Sequence, residues 1–396
     1  MKIMTAMYTM KKGGSYNRFI MMMEAFLERG WHVHCLSLTP IPIQYPFYKN
    51  HVVALPTAIR NGFVTKAVIV LLFPFYLLMM GWRQKIDLIV AFGPLYAFLQ
   101  SLPRWVLRKP MVTLIRSDLS SGTGARPPYT GSRVLHRIID TVGILSSDRI
   151  IANNLATQKE IIAVVRGRGK EEVKLLFNSI PSIPPASEEA SLQVRARLGI
   201  PKEGKLVVTA GVLTRGKNFE VLLKCLPPIG MTNLFLAIIG DGSAKADVRY
   251  IDELRKLTRA LDLEKRIIFT GWVATEELWK IFGAADLFVL PSLKEGMPNV
   301  LLEALGADLP SIGSNIPGIR DILSYEELMF DPLDVEVISH IVLQFFTDVQ
   351  IQARIRRLCQ ERKQVFLFDW KEKVFERVSG LLFPPGGDGR EQRFNR

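Results

Sequence analysis

Residues 286–318 read DLFVLPSLKEGMPNVLLEALGADLPSIGSNIPG. The run DLFVLP is a short apolar strand ending at Pro291. A loop with Glu295 and Gly296 follows, and a helix is predicted to begin near Pro298, the residue type preferred in a first helical turn. LPSIGSN then reads as the next strand. Uninterrupted apolar strands separated by helices mean a parallel sheet covered on both faces.

The same alternation extends outward in both directions. KLVVTAG, LFLAIIGDG and RIIFTGW precede the quoted stretch. In the first half, KIMTAMYT, HVHCLSLT, DLIVAF, PMVTLI, DRIIANN and VKLLFN read as strands, with helical patterns such as NRFIMMMEAFLERG between them. SIPSIPPASEEA, residues 179–190, breaks the pattern and reads as a linker. The expected organisation is therefore two Rossmann-like, doubly wound α/β domains. The first covers 1–180, a linker 181–200, and the second 201–369, with a disordered Gly-rich tail over 383–396. At 396 residues the chain is long enough for two cores. Ligands in such folds bind at the carboxyl ends of the strands, here expected in a cleft between two sheets.

Glu295 and Glu303 lie eight residues apart, the second about one and a half turns into the helix. The amides of Met297, Asn299 and Val300 lie at or near the helix N-terminus, where partial positive charge suits a phosphate or a sugar oxygen. Two carboxylates at two depths suit a ligand with several hydroxyls and a diphosphate. The plain alternative is that both acids complement the helix dipole. In KKGGS, residues 11–15, Gly13 and Gly14 either allow close backbone approach to a phosphate or form an ordinary turn. Gly240 and Gly242 flank Asp241 in a tight turn where a side chain would obstruct a ligand.

The segment EGMPNVLLEA, followed by Pro317 and Gly318, closely resembles the signature of the family-4 glycosyltransferases. That resemblance implies the GT-B fold, a nucleotide-diphosphate-sugar co-substrate with no further cofactor, and retention of configuration. It implies Glu295 against the donor sugar, Glu303 on the ribose, and backbone contacts at Gly296, Met297, Asn299 and Val300. GVLTRGKNFEVLL, residues 211–223, resembles the segment that supplies an Arg and a Lys to the diphosphate. Lys217 matches the Lys, but Val212 stands where the Arg is usual, and Arg215 is the substitute from the same loop or else a solvated charge. LAIIGDGSAKADVRYI and the stretch through Gly271 to Val273 resemble the nucleotide-base region. In MVTLIRSD, Arg116 and Asp118 occupy the place near which many members carry a His, and no His lies between His51 and His136. Asp118 is read as a site residue or as a cap. FNSIP resembles the turn into the second domain, with Asn178 structural, and FDWKEKVFERV resembles a helix (370–382) that returns to pack on the first domain through Trp370.

The formal charge is +13, which asks for an acidic partner. No zinc-finger spacing, basic region with heptads or aromatic RNP strand is present, so nucleic acid is not expected. Anionic membrane and phosphorylated small molecules remain. The uncharged stretch AVIVLLFPFYLLMMGW, residues 67–82, is shorter than the ~20 residues of a span. It is either a buried crossover helix or a helix dipping into one leaflet, flanked by Lys66, Arg83 and Lys85. YAFLQSLPRWVLRKP adds Arg104, Trp105, Arg108 and Lys109. Cys35, Cys225 and Cys359 are isolated and make neither a disulfide framework nor a metal spacing, so no metal is expected. With MKIMTAMYTM read as a strand and not a signal peptide, the expected setting is cytoplasmic, peripheral on the inner membrane face. The expected function is a metal-independent glycosyltransferase acting on a glycan or lipid-linked acceptor in cell-surface polysaccharide or glycolipid synthesis. The alternatives are a nucleotide-sugar-binding protein without turnover and a GT-B sugar-nucleotide epimerase.

Overall fold

A computed structural model describes residues 1–7, 14–53, 63–116, 133–165, 173–242 and 245–383. The chain divides into two compact units, Met1–Phe177 with Asp369–Arg396, and Asn178–Phe368. Gly13, Asp118 and nearly all of the expected tail fall outside the described residues.

The first unit is built on a seven-stranded sheet of β1 (Lys2–Met7), β2 (His32–Ser37), β3 (Tyr48–Val52), β4 (Leu88–Phe92), β5 (Met111–Ile115), β6 (Arg149–Ala152) and β7 (Val173–Leu175). Its order is β3-β2-β1-β4-β5-β6-β7, and every pairing is parallel. Helices α1 (Gly14–Leu27), α2 (Phe63–Gln84), α3 (Pro94–Leu107), α4 (Arg133–Leu145) and α5 (Leu155–Val164) connect the strands. Continuous apolar runs such as β4, buried at all five positions, require cover on both faces. β3 was not apparent in the sequence. YKNHV is polar because it is an edge strand, half exposed along its length. Asn50 ties it in, its side-chain amide donating to the Cys35 carbonyl at 3.1 Å and to Ser37 Oγ at 2.7 Å.

The second unit holds a six-stranded sheet of β8 (Lys205–Ala210), β9 (Leu234–Ile239), β10 (Ile267–Gly271), β11 (Leu287–Leu290), β12 (Ser311–Ser314) and β13 (Met329–Phe330). The order is β10-β9-β8-β11-β12-β13, again parallel. Helices α6 (Glu188–Arg197), α7 (Phe219–Ile229), α8 (Lys245–Ala260), α9 (Thr275–Ala284), α10 (Asn299–Gly306), α11 (Pro317–Leu323), α12 (Val335–Thr347) and α13 (Val349–Val365) surround it. The strand order reverses at β8, so the crevice outside the carboxyl ends of β8 and β11 is the switch point where ligands bind in such sheets.

The linker expected over 181–200 is corrected by α6. Ser187 caps it, accepting from the Ala190 amide at 3.1 Å. Glu188 and Glu189 follow in the first turn, and Arg195 and Arg197 in the last, each complementing the helix dipole. Among the helix residues only Val194 is buried, so α6 lacks the apolar stripe that would mark it in the sequence. It is held instead by polar ties such as Arg195 Nη1 to the Ala284 carbonyl at 2.8 Å.

The last helix, α14 (Trp370–Ser379), joins the first unit. Trp370 is buried there with the Arg18 guanidinium 5.2 Å from its ring centre. Phe375 meets Phe26 and Trp31, and Lys371 reaches Glu24 and Glu28.

The stretch 67–82 is not a wholly buried crossover helix. It lies within α2, which buries Ile69, Phe73, Leu77 and Met80 but exposes Leu71, Leu72, Phe75, Met79 and Trp82. Among the described residues no helix is long and apolar enough to cross a membrane. Arg104 of α3 is already engaged by Asp148 at 2.7 Å, while Trp105 and Val106 beside it are exposed.

Candidate functional site

Three loops leave the carboxyl ends of β8, β9 and β10 and are laced together by backbone hydrogen bonds. The Gly211 amide donates to the Ile239 carbonyl at 3.0 Å, the Leu213 amide to Asp241 at 3.1 Å, and the Gly240 amide to Gly271 at 2.9 Å. Gly240 has a φ of 131°, and a Cβ there would lie 1.9 Å from the Gly211 carbonyl oxygen. Only glycine lets these strands end so close together. At Gly242 a Cβ would stand 2.7 Å from the Asp247 Cβ. Gly271 is followed by Trp272, which is 70% exposed.

From the first of these loops a short 3-10 turn, Arg215–Lys217, carries the cation of the site. Lys217 Nζ donates to Glu295 at 2.5 Å, and the same carboxylate oxygen accepts from Ser292 Oγ at 2.7 Å. Both charged side chains are largely shielded, 20% and 12% exposed. The Leu293 amide donates to the Gly216 carbonyl at 2.9 Å and ties the two loops together. Asn218, at a φ of 55°, donates to the Pro291 and Pro332 carbonyls at 3.2 and 2.8 Å. It tolerates the left-handed conformation that ends the turn and locks the loop to the carboxyl end of β11. Sequence reasoning missed Ser292 and Asn218. Each acts on a partner through folding, and a lone Ser or Asn in a loop carries no signal of that.

Glu295 and Gly296 are clamped from behind. A Cβ on Gly318, in the first turn of α11, would lie 2.1 Å from the Gly296 carbonyl oxygen and 2.7 Å from that of Glu295. On the other side of the motif, buried Asn178 donates to Asn299 Oδ1 at 2.8 Å and to the Met297 carbonyl at 3.4 Å. Met297 is buried, and Asn299 and Val300 open α10 half-exposed behind the N-cap Pro298. Glu303 follows Asn299 by one turn on the same helix face, while Leu301, Leu302, Ala304 and Leu305 fill the core. The structure thus gathers Lys217, Glu295, Gly296 and the start of α10 at the switch point.

Arg215 is not part of this gathering. Its guanidinium pairs with Glu253 of α8 at 2.5 Å and lies over Tyr250, in an exposed position, while Val212 is 49% exposed. Arg116 belongs to the first unit, at the end of β5, with Phe92 beneath it at 5.5 Å. Burial, and then the neighbouring Arg18, lower its guanidinium to about 9. Gly14 opens α1 and is exposed. Among the described residues no three His, Cys, Asp or Glu side chains gather to hold a metal ion.

Residues 190–362 match the family model described as "Glycosyl transferases group 1". The matched residues lie within the second unit, Asn178–Phe368. Among curated relatives, the chain is 28% identical to mannosylfructose-phosphate synthase of Agrobacterium fabrum over 210 residues, 51% of this chain and 46% of that one. It is 30% identical to the lipopolysaccharide core biosynthesis glycosyltransferase LpsD of Rhizobium meliloti over 202 residues, 50% of this chain and 51% of that one. The chain spans about half the length of these relatives. Among solved structures it resembles Anabaena Alr3699/HepE in complex with UDP, with a TM-score of 0.77 at 18% identity over 97% of this chain and all of the other. WaaG, described as a glycosyltransferase involved in lipopolysaccharide biosynthesis, gives a TM-score of 0.72 at 14% identity over 96% of this chain and all of the other. These likenesses establish a GT-B fold.

Proposed function

We propose that this chain is a glycosyltransferase that moves a sugar from a nucleoside-diphosphate sugar to a glycan or lipid-linked acceptor in cell-surface polysaccharide or glycolipid synthesis. The observation that carries the reading is the shielded Lys217–Glu295 pair beside the start of α10. The likeness to synthase and glycosyltransferase relatives and the UDP bound in the HepE structure support it.

Lys217 neutralises the leaving diphosphate, whose charge grows as the glycosidic bond breaks. A preorganised cation there favours the transition state over the ground state. Glu295, fixed by Lys217 and Ser292, accepts from donor-sugar hydroxyls. The amides at Met297, Asn299 and Val300 face the electron-rich side of the donor, and Glu303 accepts from the ribose hydroxyls. A Lys and helix amides supply the positive charge that a divalent ion would otherwise bring, so the reaction is metal-independent. Attack on the front face, with a donor phosphate oxygen taking the acceptor proton, retains configuration.

Purified protein is expected to turn over at least one nucleotide sugar and to keep that activity in excess EDTA. Activity abolished by EDTA and restored by magnesium would overturn the metal-free reading. Glu303→Ala is expected to weaken donor binding by about 1–3 kcal/mol, as for loss of a charged hydrogen-bond partner. Unchanged donor affinity in a folded variant removes the ribose assignment.

A second reading, donor binding without turnover, draws on Val212 and on the Arg215–Glu253 pair, which leave Lys217 as the cation that faces Glu295. Binding without hydrolysis or transfer for any donor and acceptor would favour it.

The acceptor side is assigned to an anionic membrane surface. The net charge of +13 and the exposed apolar residues of α2 and α3 support peripheral binding through the first unit on the cytoplasmic face.

A further inference from the structure

α2 is apolar on both of its faces, an unusual state for a helix at a protein surface. One face is buried at Ile69, Phe73, Leu77 and Met80. The other presents Leu71, Leu72, Phe75, Met79 and Trp82 outward, with Trp82 72% exposed. Where this outer stripe meets the edge of the sheet, a cavity of about 320 Å³ opens between the second half of α2 and the β2–β3 edge. That volume stands at the lower end of the ~300–1,000 Å³ typical of small-molecule sites. It holds a headgroup and the start of a chain, not a whole lipid.

The cavity is amphipathic. Leu36, Val52, Val53 and Met80 line its apolar side, and His51, Arg83 and Gln84 its polar side. Tyr76 and Met79 line it too, and both are exposed on α2, so the cavity runs into the outer stripe without a break. Among the described residues Arg83 has no carboxylate partner. The charges acting on the neighbouring imidazoles are positive. His51 is lowered by burial and then by Lys49, and His34, 3.1 Å from His51, is lowered to about 4 by burial, His51, Lys2, Lys49 and His32. A cavity with an uncompensated guanidinium, neutral imidazoles and an apolar exit asks for an anion joined to a hydrocarbon.

We propose that the cavity between α2 and the β2–β3 edge binds the phosphate headgroup of an anionic phospholipid, whose chains leave along the outer stripe of α2. Arg83 and Gln84 donate to the phosphate oxygens, and Tyr76 offers a further hydroxyl. This rests on the membrane reading given above and sharpens it. The surface contributes diffuse attraction, whereas the cavity selects a phosphate ester carrying a chain.

The test uses the full chain and a short lipid, dihexanoyl phosphatidylglycerol below its micelle concentration, followed by Trp fluorescence or native mass spectrometry. Saturable binding is expected, weakened at least tenfold by Arg83→Glu and by Val52→Trp, which fills the cavity from an exposed strand position. Glycerol 3-phosphate and inorganic phosphate are expected to bind at least tenfold more weakly than the lipid. No binding of the short lipid overturns the proposal, as does binding unaffected by Arg83→Glu. Equal affinity for glycerol 3-phosphate also overturns it, because the site would then take a free phosphate ester. Pelleting with equimolar phosphatidylcholine and phosphatidylglycerol vesicles at low salt reads the membrane surface separately. Pelleting without short-lipid binding leaves the membrane reading and removes the cavity. Short-lipid binding without pelleting does the reverse.

Discussion

Lys217→Ala is expected to lower turnover by about 100-fold or more, the usual effect of removing one preorganised charge stabiliser. Donor affinity falls far less, because the leaving diphosphate gains its charge during bond breaking and Lys217 meets that charge mainly in the transition state. The substitution also leaves Glu295, only 12% exposed, without its cation and, among the described residues, with Ser292 as its one side-chain donor. That costs stability on the order of 1–2 kcal/mol, so the unfolding midpoint is measured alongside. Lys217→Arg keeps the charge but not the compact point donor, and an intermediate rate is expected. Turnover within about threefold of wild type for Lys217→Ala would place the leaving-group role elsewhere. Arg215 is poorly placed to inherit it while Glu253 holds its guanidinium.

Gly318→Ala is the second large effect, and it acts from behind the site. The new Cβ would meet the Gly296 carbonyl oxygen at 2.1 Å and that of Glu295 at 2.7 Å. These are backbone atoms, so no flexible side chain can swing away. The loop that aims Glu295 and the start of α10 must move. A displacement near 1 Å costs about 100-fold in rate when it misaligns reacting groups, while overpacking of this kind costs about 1–3 kcal/mol of stability. The expected result is a folded protein, somewhat destabilised, whose turnover falls about 100-fold. Wild-type turnover in Gly318→Ala would mean that the position of residues 295–296 does not govern the reaction.

The contrast between these residues shows what a sequence can reveal. β4, β8, β9 and β11 are buried on both faces, so their apolar runs stand out in the chain. Glu295 and Glu303 stood out as candidates because both fall in one short motif, EGMPNVLLEA, across a loop and the start of a helix. Edge strand β3 and helix α6 did not, since one is polar and solvated and the other is held by Ser187, Arg195 and backbone carbonyls in place of an apolar stripe. The pairing of Arg215 with Glu253 joins residues 38 positions apart, and only the packing of α8 against the loop decides it. Gly318 was legible as part of a motif, but its reason, the closeness of two carbonyl oxygens, appears only in the fold.

The most direct test of the central claim is calorimetric titration of the purified chain with UDP-, GDP- and ADP-sugars. Saturable one-to-one binding of at least one donor is predicted, with a rise in thermal stability that amounts to about 2.7 kcal/mol at a hundredfold excess over Kd. Lys217→Ala should keep most of that affinity and Glu303→Ala should lose a measurable part of it. A folded protein that gives neither heat nor a thermal shift with any nucleotide sugar would contradict the assignment of the switch point between β8 and β11 as a donor site.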